Sequence, residues 1–477
     1  MSTTALSLTI IYALNILLFF CVVYLEYKDP VETTLWLFIT AGIPILGFIM
    51  YLAFGNTLKL RRIHYKNSHT LRNQYQEKLQ EQAKEMMLIH DVSDVDPDIK
   101  SIIKFNYINN NSALTFFNNV EIFTNGKYKY PKLFEDLKNA KKFINIEYYT
   151  IHNDHVGKQF AKILTEKAKE GVEINVLYDG FGNITPKKKL FKDLMKNGGT
   201  VKKSRKYLTR YRNHRKIVVI DGEIAYMGGM NIGAQYQNEH KKKTPWRDTH
   251  IRIVGETVSI LNYHFLNDWL NYLPLKDGKK NFEDFDKYFV PSTCEELLPA
   301  QIVVGGAYQK YNSIRSTYIK LMHTADKRLW IQSPYCVPDD ALFETVKILI
   351  ASGVDVRFML PKVSASFFLT GAGNYYIEQL LQLGAKVYQY HGYIHAKTII
   401  VDNNLTGIGS VNFDMGSMKL NDEIIALFYG DNFTKRYEEI FLNDIKDCTE
   451  LDYETFKKRP IIYKMWDKLM WLFSPLY

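Results

Sequence analysis

One short pattern occurs twice in this chain, and any fold must present both copies. HRKIVVID begins at His214 and HAKTIIVD at His395, 181 residues further on. The flanks repeat in the same order. LFEDLKNAKKFINIEYYT from Leu133 answers YIKLMHTADKRLWIQSPY from Tyr318, GVEINVLYDG from Gly171 answers GVDVRFMLPK from Gly353, and LMKNGGTV from Leu194 answers LLQLGAKV from Leu380. The first pair passes from a helix-period run with a basic pair into a short apolar strand. Strands alternating with helices imply helix-covered sheets, so each half is expected to be an α/β layer structure. A chain of 477 residues also exceeds what one core usually supports.

Valine and isoleucine fill the run after each histidine, as in a strand. Residues i and i+2 of a strand share a face, so His214 stands with Lys216 and His395 with Lys397. That pairing suits phosphodiester chemistry: one imidazole attacks phosphorus, and the lysines hold the nonbridging oxygens. A second imidazole protonates the departing alkoxide and then deprotonates the acceptor hydroxyl. Two copies of the motif therefore supply two roles. Each is followed by a small-residue turn and an asparagine, Gly228, Gly229 and Asn231 in one half, Gly409, Ser410 and Asn412 in the other. The glycines allow close backbone approach to phosphate, and the asparagine amides can donate to its oxygens. Asp221 and Asp402 complete the catalytic motifs, but they lie about 23 Å along the strand from the histidines and read as structural.

Residues 6–25 and 35–54 are uncharged, each long enough to cross a bilayer. The first lacks the basic n-region of a signal peptide and a second apolar stretch follows it, so a retained two-helix anchor is expected. Asn15 and Pro44 are tolerable within such helices. Glu26, Asp29 and Glu32 lie between the stretches, and Lys59, Arg61, Arg62 and Lys66 follow the second, which puts the large domain in the cytoplasm of a multi-pass cell-membrane protein. Four cysteines without a CxxC pair read as free thiols. A net charge of +10 suits a polyanionic partner, either nucleic acid or an anionic lipid surface. The expected organisation is anchor 1–59, polar linker 60–110, and repeat domains 111–290 and 291–477.

With YLAFGN at Tyr51, IEYYT, LYDG, WRDTHIRI at Trp246, SPYCVPD at Ser333 and the terminal SPL, the chain resembles the phospholipase D superfamily and, within it, the bacterial cardiolipin synthases. The resemblance implies two phospholipase D-like domains about a pseudo-twofold axis, with the histidine motifs meeting at their interface. It implies His214 as nucleophile and His395 as acid and base, though the residues alone leave the order open. Glu423 matches the family carboxylate that orients a catalytic histidine, and Asp248 is its expected first-half counterpart. The family usually carries acidic residues after the first asparagine, where this chain has Gly233, Ala234 and Gln235.

The implied reaction transfers a phosphatidyl group from one phosphatidylglycerol to another, releasing glycerol, with no cofactor, no metal and no nucleic acid. The rivals are a hydrolytic phospholipase D, a membrane-tethered phosphodiesterase acting on nucleic acid, and a noncatalytic lipid-binding scaffold. His391 and His395 form an HxxxH pair, but no HExxH glutamate accompanies it and the context is a strand. Lys187 to Lys189, Lys202 to Lys206 and Lys241 to Lys243 read as solvated loops or as headgroup attraction. The end from Met465, MWDKLMWLFSPLY, mixes tryptophan with lysine as interfacial helices do, with core packing the alternative.

Overall fold

The computed structural model describes residues 3–26, 30–43, 45–54, 96–183, 189–204, 212–239, 244–271, 286–306, 312–363 and 366–474. In the first half the strands are β1 (Leu114–Phe123), β2 (Phe143–Tyr148), β3 (Glu173–Tyr178), β4 (Thr200–Lys203), β5 (Lys216–Ile220), β6 (Ile224–Gly228), β7 (Trp246–Arg247) and β8 (His250–Gly255). The second half has β9 (Leu297–Gly305), β10 (Arg328–Gln332), β11 (Cys336–Val337), β12 (Asp355–Pro361), β13 (Lys386–Tyr390), β14 (Tyr393–Ile394), β15 (Thr398–Val401), β16 (Leu405–Gly409), β17 (Phe413–Asp414), β18 (Glu423–Tyr429) and β19 (Cys448–Glu450).

Fifteen of these strands form one sheet whose order repeats outward from its centre. From the β1–β9 seam, β1-β8-β6-β5-β2-β3-β4 runs one way and β9-β18-β16-β15-β10-β12-β13 the other, with β19 added beyond. Each repeat supplies a parallel block, β2-β3-β4 or β10-β12-β13, and an antiparallel block that reaches the seam. At the seam β1 and β9 are antiparallel, and Asn118 donates to the Leu298 carbonyl at 3.0 Å.

β5 and β15 are buried throughout because helices cover the sheet on both faces, which is why they read as unbroken Val/Ile runs. One apolar cluster belongs chiefly to each half; a third is shared, joining Ile217, Met227 and Ile253 to Ile302, Ile400 and Ile424. Each such buried side chain contributes about 1.5–3 kcal/mol. The shared core fixes the halves against each other, and so fixes whatever lies at their seam.

Two expectations need correction. The linker expected to reach residue 110 ends in a helix, Pro97–Asn110, whose Ile99, Ile102 and Ile103 enter the second half's core. Its Asn106 is buried and donates to Gln301 on β9, while Thr317 donates to Asn106. The second expected span is two helices, Pro30–Gly42 and Leu46–Phe54, separated where the sequence carries Pro44, with Ile45 at φ 66°. A proline cannot donate to the preceding turn, and the first of these helices ends at Gly42. The first stretch is a single helix, Thr3–Glu26. Among the described residues no helix is long and apolar enough to cross a membrane. Residues 55–95, with the rest of the expected linker and its basic cluster, lie outside the described residues, as do Lys241 to Lys243, Lys187, Lys188, Arg205 and Lys206.

Candidate active site

Both histidines precede a central strand and are held by residues of the opposite half. His214 donates its backbone N–H to the Asp422 carbonyl at 2.9 Å, and its Nδ1 lies 2.9 and 3.0 Å from the two oxygens of Glu423. His395 donates its N–H to the Arg247 carbonyl at 2.6 Å, beside the parallel β7–β14 pair, and its Nδ1 lies 2.7 Å from Asp248 Oδ2. The carboxylates thus cross the seam. A carboxylate at Nδ1 fixes the proton there and leaves the Nε2 lone pair for chemistry.

Lys216 and Lys397 are buried, and each Nζ donates to the carbonyl of the histidine two residues before it. Burial pushes Lys216 down to about 8, against the pull of Glu423 and Asp248. It pushes Lys397 down to about 7, with the charge of Lys216 adding to the effect. Burial and then Lys397 lower His395 to about 3, with Asp248 opposing. His214 is lowered by burial against Glu423, and it also feels both lysines. Glu423 is held below its usual range because His214 and Lys216 outweigh the effect of burial. These mutual influences make one electrostatic site, desolvated and short of negative charge. A phosphodiester anion would supply it.

Asn231 accepts the Thr150 N–H at 3.0 Å and donates to Tyr236 Oη at 2.8 Å, leaving one amide hydrogen. Asn412 donates to Asp414, and its Oδ1 has no partner among the described residues. Asp221 and Asp402 are not brought to the site. Asp221 accepts N–H bonds from Lys141, Lys142 and Phe143, and Asp402 accepts them from Asp326, Lys327 and Arg328. Each ties the far end of its strand to the start of β2 or β10.

The glycine after β6 serves a purpose the sequence did not reveal. A Cβ on Gly229 would lie 2.0 Å from Asp248 Oδ1, so the missing side chain makes room for the carboxylate that holds His395. At the matching position Ser410 donates to Glu423. Other supporting residues were also missed. Asn213, just before His214, donates to the buried Glu147 of IEYYT and, through its backbone, to Asp179 of LYDG at 2.9 Å. Tyr149 stands edge-on to His214 at 4.9 Å, while Tyr393 stacks on His395 at 5.8 Å. Trp246 packs against His395, Arg247 reaches Asp444 at 2.9 Å, and Thr249 bonds Tyr437 at 2.9 Å, so Trp246 through Thr249 of WRDTH all meet the second half. Where the usual acidic residues are lacking after Asn231, Asp154 accepts the Ala234 N–H at 2.7 Å. His391 does not join His395; it is exposed and bonds Thr449 at 2.7 Å.

Residues 133–265 and 318–445 match the family model described as cardiolipin synthase, PLD-like domain, and residues 13–56 match one described as phospholipase D-nuclease N-terminal. The chain is 35% identical to a cardiolipin synthase of Listeria monocytogenes serotype 4a, covering 100% of both chains. It is 36% identical to one from Clostridium perfringens, covering 95% of each. It is 34% identical to the major cardiolipin synthase of Bacillus subtilis, again over 100% of both. Among solved structures, a phosphatidylserine synthase of Haemophilus influenzae has a TM-score of 0.61 at 14% identity, covering 80% of this chain and 98% of that one, a likeness of fold.

Proposed function

The chain belongs to the cardiolipin synthase family of phospholipase D-like proteins, and from that premise we infer that it exchanges phosphatidyl groups between two phosphatidylglycerol molecules. His214 Nε2 attacks the donor phosphorus, forming an N–P bond as the bond to the glycerol oxygen breaks. His395 gives that oxygen its proton. It then takes a proton from the hydroxyl of a second phosphatidylglycerol, whose oxygen displaces His214 to give cardiolipin. Lys216, Lys397, Asn231 and Asn412 hold the nonbridging oxygens and offset charge in the transition state.

The observation that carries this reading is the pair of carboxylates on Nδ1 of opposing histidines, which orients both rings across the seam. The depressed histidines fit it too: a bound phosphate anion offsets the lysines and raises the proton affinity of His395, so the acid forms when substrate is present. Aromatic packing around both rings helps exclude water, which favours transfer over hydrolysis.

The N-terminal segment is proposed as a membrane anchor that leaves the catalytic halves, about 111–290 and 291–477, in the cytoplasm. The exposed Leu14, Leu17, Phe20, Phe38 and Ile49 support this reading. Purified full-length protein given phosphatidylglycerol in detergent micelles is expected to yield cardiolipin and glycerol. Phosphatidic acid as the sole product would make it a hydrolase instead, and metal-independent cleavage of single-stranded DNA would make it a nuclease. Acid-quenched samples should carry a phosphatidyl group on His214 that vanishes in His214→Ala. Label on His395 would reverse the roles.

A further inference from the structure

The helices Phe367–Leu383 and Ile461–Leu472 pack together on the second half. Where they meet, Met470 is buried, Trp466 stacks on Phe367 at 4.7 Å, and Trp471 stacks on Tyr375 at 4.5 Å while staying 37% exposed at the edge of the pair. Asp467, an acidic residue of the second helix, is also turned inward, held by Arg459 at 2.9 Å and Asn374 at 3.2 Å. The outer face is the reverse of what solvent favours. Ile461, Met465, Leu469 and Leu472 recur at helical spacing and are exposed by 72, 62, 45 and 53%. Phe368 extends the patch onto the neighbouring helix. Lys468 is exposed on the same helix, and Lys457 and Lys458 are exposed at the end of the short helix Tyr453–Lys457 before it.

We propose that this two-helix face is a docking surface for an anionic phospholipid bilayer, through which the catalytic halves sit down on the membrane independently of the N-terminal segment. An apolar stripe edged by lysines and tryptophans, with its acidic residue hidden, matches the acyl and headgroup layers of such a bilayer in both polarity and charge. Its position argues the same way. The first helix lies against β11, where a Cβ on Gly373 would stand 3.5 Å from the Cys336 carbonyl. β11 pairs with β17, which directly follows Asn412. Seating the face on lipid would therefore bring the phosphate-binding end of the site to the surface from which a lipid substrate is drawn. The proposal goes beyond the assigned reaction, resting on it only for the substrate's being a lipid.

The test uses the full chain with Phe368→Ser, Ile461→Ser, Met465→Ser and Leu469→Ser combined. Turnover of phosphatidylglycerol in mixed detergent micelles is expected to stay within about twofold of wild type, while turnover on phosphatidylglycerol vesicles falls at least about fivefold. Equal turnover on vesicles would overturn the proposal, as would conversion of a dimer to a monomer without loss on vesicles, which would make a second copy the occupant. A second measurement does not need the fourfold variant and uses one conservative substitution. Vesicles with brominated acyl chains should quench wild-type fluorescence more than that of Trp471→Phe, and equal quenching would refute docking. If the wild type makes no cardiolipin in either medium, the assigned reaction fails, and the quenching still decides the docking.

Discussion

Asp248 and Glu423 do the same work with side chains one methylene apart, and their neighbours compensate. The shorter carboxylate lies against Gly229 and the longer one receives the Ser410 hydroxyl. Asp248→Asn and Glu423→Gln are expected to lower kcat about 10²- to 10⁴-fold with little change in melting temperature, since an amide cannot stabilise the imidazolium. Gly229→Ala should lose activity in parallel with Asp248→Asn. The buried cations set a pH dependence of known sign. Lys216 and Lys397 are depressed to about 8 and 7, so above those values the unfolded chain holds protons that the folded chain has released. Stability from this source therefore rises with pH from about 7 to about 10.5, and both histidines add a similar rise below about 6.5. The melting temperature measured across pH 7 to 10 should climb less steeply in Lys397→Met. The histidines and lysines were legible because motif spacing marks them, and both carboxylates only through the family resemblance. Tyr149, Glu147 and Asn213 were not, because no local pattern shows that Asn213 meets Glu147 from 66 residues away.

At the scale of elements, the aspartates that close the two motifs act on strand ends. Asp221 gathers three backbone N–H groups, and Asp402 does the same in a more open setting. Asp221→Ala is expected to cost about 2–4 kcal/mol, since a hydrogen bond to a charged group is worth about 1.5–3 kcal/mol net and water can reach some of the three N–H groups once the carboxylate is gone. Asp402→Ala should cost less, and both should retain near-normal kcat below the melting transition; a large fall in kcat would give the aspartates a part in the chemistry. The strands of the repeat were legible from their Val/Ile runs and matching flanks. The helix Pro97–Asn110 was not, since its few apolar residues sit among asparagines and lysines, and only its contact with β9 and the helix Ser313–His323 makes it core. Deleting residues 97–110 should therefore destabilise the second half, and denaturant titration would show it.

Across the whole molecule, each half carries the histidine that the other half's carboxylate holds. Made as separate chains, the halves are expected to be inactive, and co-expression should restore turnover if the seam reforms. A half with activity of its own would refute the shared site. In a double-mutant cycle Asp248→Asn should couple strongly to His395→Ala despite their separation in sequence. The duplicated pattern foretold two like halves; that their strands would merge into one sheet followed only from the pairing of β1 with β9. That near-twofold arrangement bears on reversal as well as rate. Exchanging one phosphodiester for another releases little free energy, and a site in which one histidine serves as both acid and base can run either way. Glycerol offered in excess should therefore dismantle the four-chained product by the same route, leaving supply and drainage of the small alcohol to dictate which way the traffic runs.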